Sequence, residues 1–200
     1  MAQTVTPLFD AATSLRFEED EHLLEGVLRP YKEHCRYLRS ATVTVKNGLG
    51  VARGQFSIPS PCYIDDTGHF NAVEFNICYN QLVYYLLAKS IKEHAVPALA
   101  DWSVDDYWVR QLPDILIARF RSIFRSQIDS LSFSGEVAFA SITHSNVRQP
   151  MVLTDTTVRF WDAQDGRADG EVLLALLNPP SSRTGSGSGA GSGIEERPAA

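Results

Sequence analysis

The sequence predicts an α+β fold in which an antiparallel sheet wraps around one long central helix. Residues 72–91 are apolar on nearly every side of a helical wheel, which is typical of a helix enclosed by protein. Five polar side chains interrupt this run and argue against a membrane helix: Glu74, Asn76, Asn80, Gln81 and Lys89. Once buried, each of them needs a partner or a use. A hairpin before the helix and four strand patterns after it supply the sheet.

Composition indicates one globular domain over residues 15–178. The chain has 200 residues, 44% of them hydrophobic, which is enough for a sizeable core. A formal net charge of −6 excludes the broad basic footprint of a nucleic-acid-binding protein. The amino terminus has no charged segment followed by an apolar run, so we expect neither export nor membrane insertion. Three cysteines without CxxC spacing favour a reducing cytoplasm, with no disulfide or zinc site.

The segments before the central helix predict a helix and a hairpin. We expect residues 1–14 to be mobile and residues 17–28 to form a short amphipathic helix. Residues 35–45 alternate as a strand does, and residues 49–58 alternate again. Asn47-Gly48 between them is a strong hairpin-turn signal.

The segments after the central helix predict a short helix and four strands. Ser103 and Asp106 have the spacing of a capping box, which predicts a helix through residue 112. The strands are expected at residues 115–124, 133–143, 151–161 and 171–177, with a polar turn at 162–170. Residues 179–200 are rich in Gly, Ser and Pro, so we expect a flexible tail.

The start of the central helix carries the densest polar chemistry in the chain. Residues 65–71 combine turn formers with Thr67, a candidate N-cap. The free N–H groups of a first helical turn can bind an anion or an oxyanion. The alternative is an ordinary capped helix after a loop. Four side chains near one buried helix favour a site: His69, Asn71, Glu74 and Asn80.

Arginines recur along the predicted strand 115–124. Arg119, Arg121 and Arg125 are expected on one face, and the other face is expected to carry Leu116, Ala118, Phe120 and Phe124. Two interpretations stay open, a solvated sheet face and a site for phosphate or carboxylate, which the guanidinium fork suits.

Several motifs carry a resemblance to a known family. They are Tyr63-Ile64, TGHFNAVE at 67–74, CYNQL at 78–82, the WSVDDY element at 102–107, FWD at 160–162, GE at 170–171 and LLN at 176–178. From about residue 24 to residue 178 the chain resembles the FcoT-type hotdog family. The resemblance implies the hotdog fold and no cofactor or metal. It also implies four residues around the active site, which are Tyr31, Tyr63, Asn71 and Asn80.

The family was first described as long-chain fatty acyl-CoA thioesterases, and its members from isonitrile lipopeptide pathways are understood as (2E)-enoyl-[acyl-carrier-protein] glycyltransferases. In that reaction the glycine amine adds to the β-carbon of an enoyl thioester. Water then releases a 3-[(carboxymethyl)amino] fatty acid. The resemblance therefore implies glycine and an acyl carrier protein, or acyl-CoA, as partners. It also implies a homodimer or a trimer of dimers.

The residues can be assigned to that chemistry. His69 is the best base, since histidine exchanges protons near neutral pH. Glu74 is expected to orient His69 or to activate the hydrolytic water. Asn71 and nearby backbone N–H groups are expected to hold the oxyanion. Tyr31, Tyr63 and Asn80 are expected to position the substrate or return a proton, and one of the three arginines to bind the glycine carboxylate.

Three functional classes stay open on the sequence alone. They are the glycyltransferase, a plain acyl-CoA thioesterase and a non-catalytic acyl-binding protein. The two tyrosines also have a structural alternative, in which each buries its ring and bonds its hydroxyl to the backbone. Glycine-dependent product formation separates the first class from the second.

Overall fold

The structure is a computed structural model that describes residues 14–180. Its strands are β1 (Ser14–Phe17), β2 (Leu38–Lys46), β3 (Leu49–Phe56), β4 (Ile115–Phe124), β5 (Phe133–Ser145), β6 (Met151–Trp161) and β7 (Arg167–Leu177). Its α-helices are α1 (Glu21–Leu28), α2 (Ala72–Lys92) and α3 (Val104–Arg110). All strand pairs are antiparallel, in the order β1-β2-β3-β5-β6-β7-β4. The predicted α+β hotdog arrangement is confirmed.

The sheet curls around α2, whose residues 81–91 are all buried. The helix lies very close to β3. A Cβ added at Gly54 would stand 3.1 Å from Leu82 Cδ1, so glycine there permits the close approach. As predicted, α2 begins at Ala72, and it ends one residue later than expected, at Lys92.

An aromatic cluster holds the amino-terminal end of α2 against the sheet. The rings of Phe75 and Phe160 lie 4.9 Å apart, and those of Phe70 and Phe133 lie 4.8 Å apart. The Phe70 N–H also donates to the Ile128 carbonyl at 3.2 Å. Burying each such ring contributes roughly 1.5–3 kcal/mol. These contacts therefore fix the position of the chain directly before α2 begins.

Two polar residues on α2 are satisfied by the structure itself. The Gln81 side chain accepts from the N–H groups of Tyr37 and Leu38, both at 2.9 Å, and donates to the Cys35 carbonyl at 2.6 Å. Lys89 forms ion pairs with Asp20 and Glu93. These bonds attach α1 and the start of β2 to the helix.

The first helix is shorter than predicted. The Asp20 side chain accepts from the Leu23 N–H at 3.1 Å, so α1 begins at Glu21 and not at residue 17. Phe17 belongs instead to β1, where it lies opposite Val43 of β2. The prediction of a helix from residue 17 was wrong because the pairing partner of β1 is distant in the sequence.

Strand ends differ from the predicted ones where local turns intervene. β2 begins at Leu38 because Glu33–Cys35 form a 3-10 turn, and β3 ends at Phe56. β7 begins at Arg167, inside the predicted polar turn. Within the turn, Asp162 Oδ1 accepts from the N–H groups of Gln164 at 2.8 Å and Gly166 at 2.7 Å, and so closes the turn early.

The remaining predicted elements agree closely with the structure. β4 and β6 have the predicted bounds, and β5 extends two residues further, to Ser145. Ser103 and Asp106 form the predicted capping box at the start of α3, which ends at Arg110. The predictions for residues 1–14 and 179–200 fall outside the described residues, apart from Ser14 in β1 and the two prolines after residue 178. Within the described part, no helix has both the length and the apolar character needed to span a bilayer.

The faces of β4 differ from the prediction because the strand carries a bulge. The register shifts between Ile117 and Arg119, which inverts the alternation of side chains. Leu116 lies opposite Ala175 and shares the outer face with Arg119, which lies opposite Leu173. Phe120 faces α2, with its ring 5.7 Å from that of Phe75. The placement of Leu116 on the face of Phe120 was therefore wrong.

Candidate active site

A capping box formed by Asn71 and Glu74 starts helix α2. Asn71 Oδ1 accepts from the N–H groups of Val73 at 3.0 Å and Glu74 at 3.4 Å, while Glu74 Oε2 accepts from the Asn71 N–H at 2.9 Å. Thr67 is not the N-cap. Gly68 has a positive φ of 74°, and Thr67 Oγ1 donates to the His69 carbonyl at 3.0 Å, so the loop turns once more before the helix begins.

Tyr63 and Asn71 are brought into direct contact. The Tyr63 hydroxyl donates to Asn71 Oδ1 at 2.7 Å, and the tyrosine remains 46% exposed. Asn71 Oδ1 thus accepts three bonds, while Asn71 Nδ2 and the Ala72 N–H donate to no acceptor among residues 14–180. These two N–H donors lie at the positive end of the helix dipole and are available to bind a ligand.

Glu74 is fully buried although only one of its oxygens is bonded. Oε2 belongs to the capping box, and Oε1 has no partner in the described part of the chain. Burial raises the pKa of this carboxyl, and the bond from the Asn71 N–H and the nearby His69 oppose that rise. A buried carboxyl with a free oxygen is suited to proton transfer.

His69 is oriented by the loop and not by Glu74. Its Nδ1 lies 2.9 Å from the Thr67 carbonyl, and because a carbonyl only accepts, Nδ1 carries the hydrogen. Nε2 is then the unprotonated nitrogen of the neutral ring, which is the form a general base needs. Among the described residues, Glu74 bonds to the Asn71 N–H and makes no bond to His69.

One face of α2 is left partly open along its first half. Val73 is 47% exposed, and Asn76, Ile77 and Asn80 are half-buried. Their spacing of three and four residues places them on one stripe. Asn76 Oδ1 is buried without a partner in the described region, and the side chain of Asn80 makes no hydrogen bond there. The stripe therefore offers polar groups that the fold does not use.

Tyr31 packs against the core further along the same helix. Burial, and to a lesser extent the neighbouring Tyr84 and Cys78, raise the pKa of its phenol well above the ordinary value. The hydroxyl therefore stays protonated and can act as a donor. Cys78 is one turn after Glu74, so Tyr31 lies along the length of α2 rather than at its first residue.

A cavity of 420 Å³ opens beside the start of α2. His69, Phe70, Asn71 and Ala72 line one side, and residues 124–127 line the other. Arg125 is the one among the three predicted arginines that reaches it. Each of the three binds a carboxylate: Arg119 with Asp155, Arg121 with Glu171, and Arg125 with Asp169.

Some residues of this site did not stand out in the sequence. Asn76 was recognised as a buried polar residue but not as part of the site, although its spacing from Val73 and Asn80 was a usable signal. Ser126 and Gln127 carried no signal, because only the end of β4 folding over α2 brings them to the cavity. No group of three or more His, Cys, Asp or Glu residues suited to a metal ion occurs within the described ranges.

A family model described as an FcoT-like thioesterase domain matches residues 26–176. The chain belongs to the FcoT-like family. A (2E)-enoyl-[ACP] glycyltransferase from Streptomyces coeruleorubidus is 55% identical over 163 residues, covering 80% of this chain and 99% of the relative. Proteins of the same name from Mycobacterium marinum and Mycobacterium tuberculosis are each 37% identical over 161 residues, covering 80% of this chain and 88% of each relative.

Among solved structures, a protein of Lactococcus lactis assigned as a thioesterase superposes with a TM-score of 0.46 and 7% identity. The match covers 70% of this FcoT-like chain and 92% of that one. At that score the superposition adds nothing to the family assignment, which the family model and the sequence relatives carry.

Proposed function

We propose that this FcoT-family protein adds glycine to a (2E)-enoyl thioester held on an acyl carrier protein and then hydrolyses the thioester. The observation that carries the proposal is 55% identity to a relative named (2E)-enoyl-[ACP] glycyltransferase, over 99% of that relative. The unused polar groups around the first half of α2 supply the chemistry. The product is a 3-[(carboxymethyl)amino] fatty acid, the class of acid from which isonitrile lipopeptides are built.

His69 is the proposed base for the addition. The glycine amine attacks the β-carbon, a C–N bond forms, and the amine loses a proton to Nε2. Nδ1 cannot take this role because it donates to the Thr67 carbonyl. Positioned general bases typically accelerate a reaction by about 10²–10⁴-fold.

Asn71 Nδ2 and the Ala72 N–H are the proposed donors to the enolate oxygen. Attack at the β-carbon moves negative charge onto the thioester oxygen, and donors that are already in place stabilise it without reorganisation. Tyr63 and Glu74 act here by holding Asn71, since both bond to it. The α-carbon then takes up a proton, which the protonated His69 or a tyrosine hydroxyl can return.

Glu74 is the proposed group for thioester release. Its raised pKa and unpaired Oε1 suit a carboxyl that accepts a proton from water as the water attacks the thioester carbon. The C–S bond breaks and the carrier leaves as a thiol. Both steps use protein groups alone, so the proposal needs no cofactor or metal.

Substrate positioning falls to the open stripe and to Arg125. Asn80, with Tyr31 further along the helix, is proposed to hold the thioester and its chain. Arg125 is the proposed partner of the glycine carboxylate, because it lines the cavity together with His69 and Asn71. Its guanidinium can bind a carboxylate with two parallel bonds. Arg119 and Arg121 are on the outer face of the sheet, away from that cavity.

We also propose that the protein works as a homodimer or a larger assembly such as a trimer of dimers. Among the strands of residues 14–180, β4 lies at one edge of the sheet and pairs with β7 alone, and Leu116, Ile117 and Phe124 on it are 43%, 36% and 39% exposed. An uncovered edge of this length favours pairing with another chain. The unpaired cysteines, Cys35, Cys62 and Cys78, suit a reducing compartment such as the cytoplasm.

The alternative function is hydrolysis of a long-chain acyl-CoA. The family description, a thioesterase domain, favours it, and the same oxyanion donors and Glu74 would serve it. A non-catalytic acyl-binding protein is the third class. It would leave the unpaired Glu74 oxygen and the oriented His69 without a purpose.

The His69→Ala variant tests the proposed mechanism. It should lower the rate of the glycine adduct by about a hundredfold or more, the usual scale for a lost general base. Release of acid from a saturated acyl carrier thioester should fall much less, because Glu74 is intact. Both products are measured by mass spectrometry. Equal losses in the two reactions would contradict the assignment of His69 to the addition step.

A further inference from the structure

The outer face of the sheet carries a concentrated group of arginines. Six of them, on β3, β6, β7 and along or just after β4, form what we term the arginine patch: Arg53, Arg119, Arg121, Arg125, Arg159 and Arg167. The strand register places Arg53 opposite Glu136, and Arg121 opposite Glu171, so these side chains share the face that points away from α2. Every one of the six side chains is between 49% and 68% exposed.

The patch is positive although each arginine has an acidic neighbour. Four carboxylates serve the six guanidinium groups: Glu136, Asp155, Asp169 and Glu171. Glu136 is shared by Arg53 and Arg159, and Asp169 by Arg125 and Arg167. Six positive and four negative groups leave a local charge of +2 on a chain whose formal net charge is −6. Exposed pairs of this kind contribute only about 0–1 kcal/mol, so a guanidinium can exchange one carboxylate for another.

A groove in the patch shares one lining residue with the cavity at the candidate active site. It has a volume of 510 Å³, and its walls carry four of the arginines and three of the carboxylates: Arg121, Arg125, Arg159, Arg167, Glu136, Asp169 and Glu171. Arg125 also lines the cavity that holds His69 and Asn71. Arg125 is thus a wall of both openings, so one end of the patch lies beside the cavity at the start of α2.

We propose that the arginine patch is the docking surface for the acyl carrier protein, which presents an acidic helix to it. This rests on the proposed function, since a carrier-bound substrate is what requires a docking surface. Two acidic proteins repel each other on average, so productive association needs a local patch of opposite charge. The phosphate that links the carrier's flexible arm to its helix adds further negative charge where the groove begins.

The test compares two substrates on one protein. One is the enoyl carrier protein, and the other is the same enoyl group on N-acetylcysteamine, which lacks the carrier and the phosphate. The double variant Arg159→Glu/Arg167→Glu should raise KM for the carrier substrate by about tenfold or more. KM for glycine, and kcat/KM for the small thioester, should stay at the wild-type values. Arg148→Glu, an exposed arginine in the turn between β5 and β6, is the matched control and should change neither KM.

An unchanged KM for the carrier substrate overturns the proposal, and so does an equal loss with both substrates. Salt provides a check that does not depend on folding of the variant. Raising the ionic strength should raise the wild-type KM for the carrier substrate and not for the small thioester, and a flat response also overturns the proposal. A change in sedimentation of the double variant would assign the patch to contacts between copies of this chain.

The outcomes also separate this proposal from the proposed function. If the wild type forms no glycine adduct from either substrate, the glycyltransferase assignment fails. If the wild type forms the adduct and the patch variant has the wild-type KM for the carrier substrate, the docking surface is wrong and the glycyltransferase assignment stands.

Discussion

We propose that Glu74 combines a structural and a catalytic task in one side chain. Its Oε2 completes the cap that starts α2, and its Oε1 is buried without a partner among residues 14–180. Leaving a buried acceptor unpaired costs on the order of 1–3 kcal/mol, so a fold with no further use for it would favour a residue without that oxygen. We infer that the unpaired oxygen lowers the stability of the fold and serves as a proton-transfer group.

Glu74→Gln should separate these two tasks. The amide oxygen can still accept from the Asn71 N–H, so α2 should keep its cap and the protein its fold. Thioester hydrolysis should fall by about a hundredfold, because an amide cannot take a proton from water at neutral pH. Circular dichroism checks the fold, and acid release from the carrier thioester checks the activity. Wild-type hydrolysis in the variant would exclude Glu74 as the general base.

The pH dependence of stability gives a second measurement on the same residue. The pKa of Glu74 is raised in the folded protein, so the unfolded chain loses its proton first as pH rises. This contribution to stability is full below the ordinary glutamate pKa of about 4.3 and is lost as pH rises through the folded-state pKa. Glu74→Gln lacks this loss. Its unfolding free energy relative to wild type should therefore increase from pH 4 towards neutral pH, and a constant difference would contradict the raised pKa.

At the scale of the element, α2 divides into a structural half and a functional half. In the second half Gln81 bonds to the start of β2, and Lys89 pairs with Asp20 at the start of α1, although Ser90 Oγ has no partner among the described residues. In the first half Glu74, Asn76 and Asn80 keep polar atoms that no described residue satisfies. The helix thus anchors the fold at one end, and we propose that it presents the catalytic groups at the other.

Gln81→Leu should mainly lower stability, whereas Asn76→Leu should mainly lower activity. The first leaves two N–H groups and one carbonyl without partners, at roughly 1–3 kcal/mol each, so the unfolding free energy should fall by about 3 kcal/mol or more. The second removes an unsatisfied oxygen, so stability should change by less than about 1 kcal/mol while kcat/KM falls about tenfold. Urea unfolding and steady-state kinetics measure the two effects. A large stability loss in Asn76→Leu, with activity unchanged, would make Asn76 structural.

Sequence patterns predicted the elements that depend on local signals. The start of α2, the bounds of β4 and β6, and the Ser103 capping box all follow from periodicity or capping. β1 was missed because its pairing with β2 is a long-range contact. The bulge at residue 118 was missed because nothing in the local pattern marks it, and it placed Leu116 on the wrong face.

The candidate site was predictable by residue type but not by contact. His69, Asn71 and Glu74 were singled out from their position before a buried helix. The bond from Tyr63 to Asn71, the orientation of His69 by Thr67, and the proximity of Arg125 each depend on how the loops fold in space. Their roles in catalysis stay predictions, which the variants described here test.

At the scale of the whole molecule, the free edge of β4 predicts self-association. The wild type should sediment as a dimer or a multiple of one. Leu116→Lys should shift the equilibrium towards monomer, because it places a charge among exposed apolar residues on that strand. Val147→Lys is the matched control, since Val147 is 91% exposed in the turn between β5 and β6. Analytical ultracentrifugation measures both, and a wild type that is monomeric at working concentration would contradict the dimer.

Glycine dependence of the product is the most direct measurement of the central claim. The wild-type protein is incubated with a (2E)-enoyl carrier protein thioester, with and without glycine, and the released acids are identified by mass spectrometry. We expect the 3-[(carboxymethyl)amino] acid to form only when glycine is present, and to be the main product. Release of free enoic acid at the same rate with or without glycine, and no adduct, would contradict the glycyltransferase and support the thioesterase.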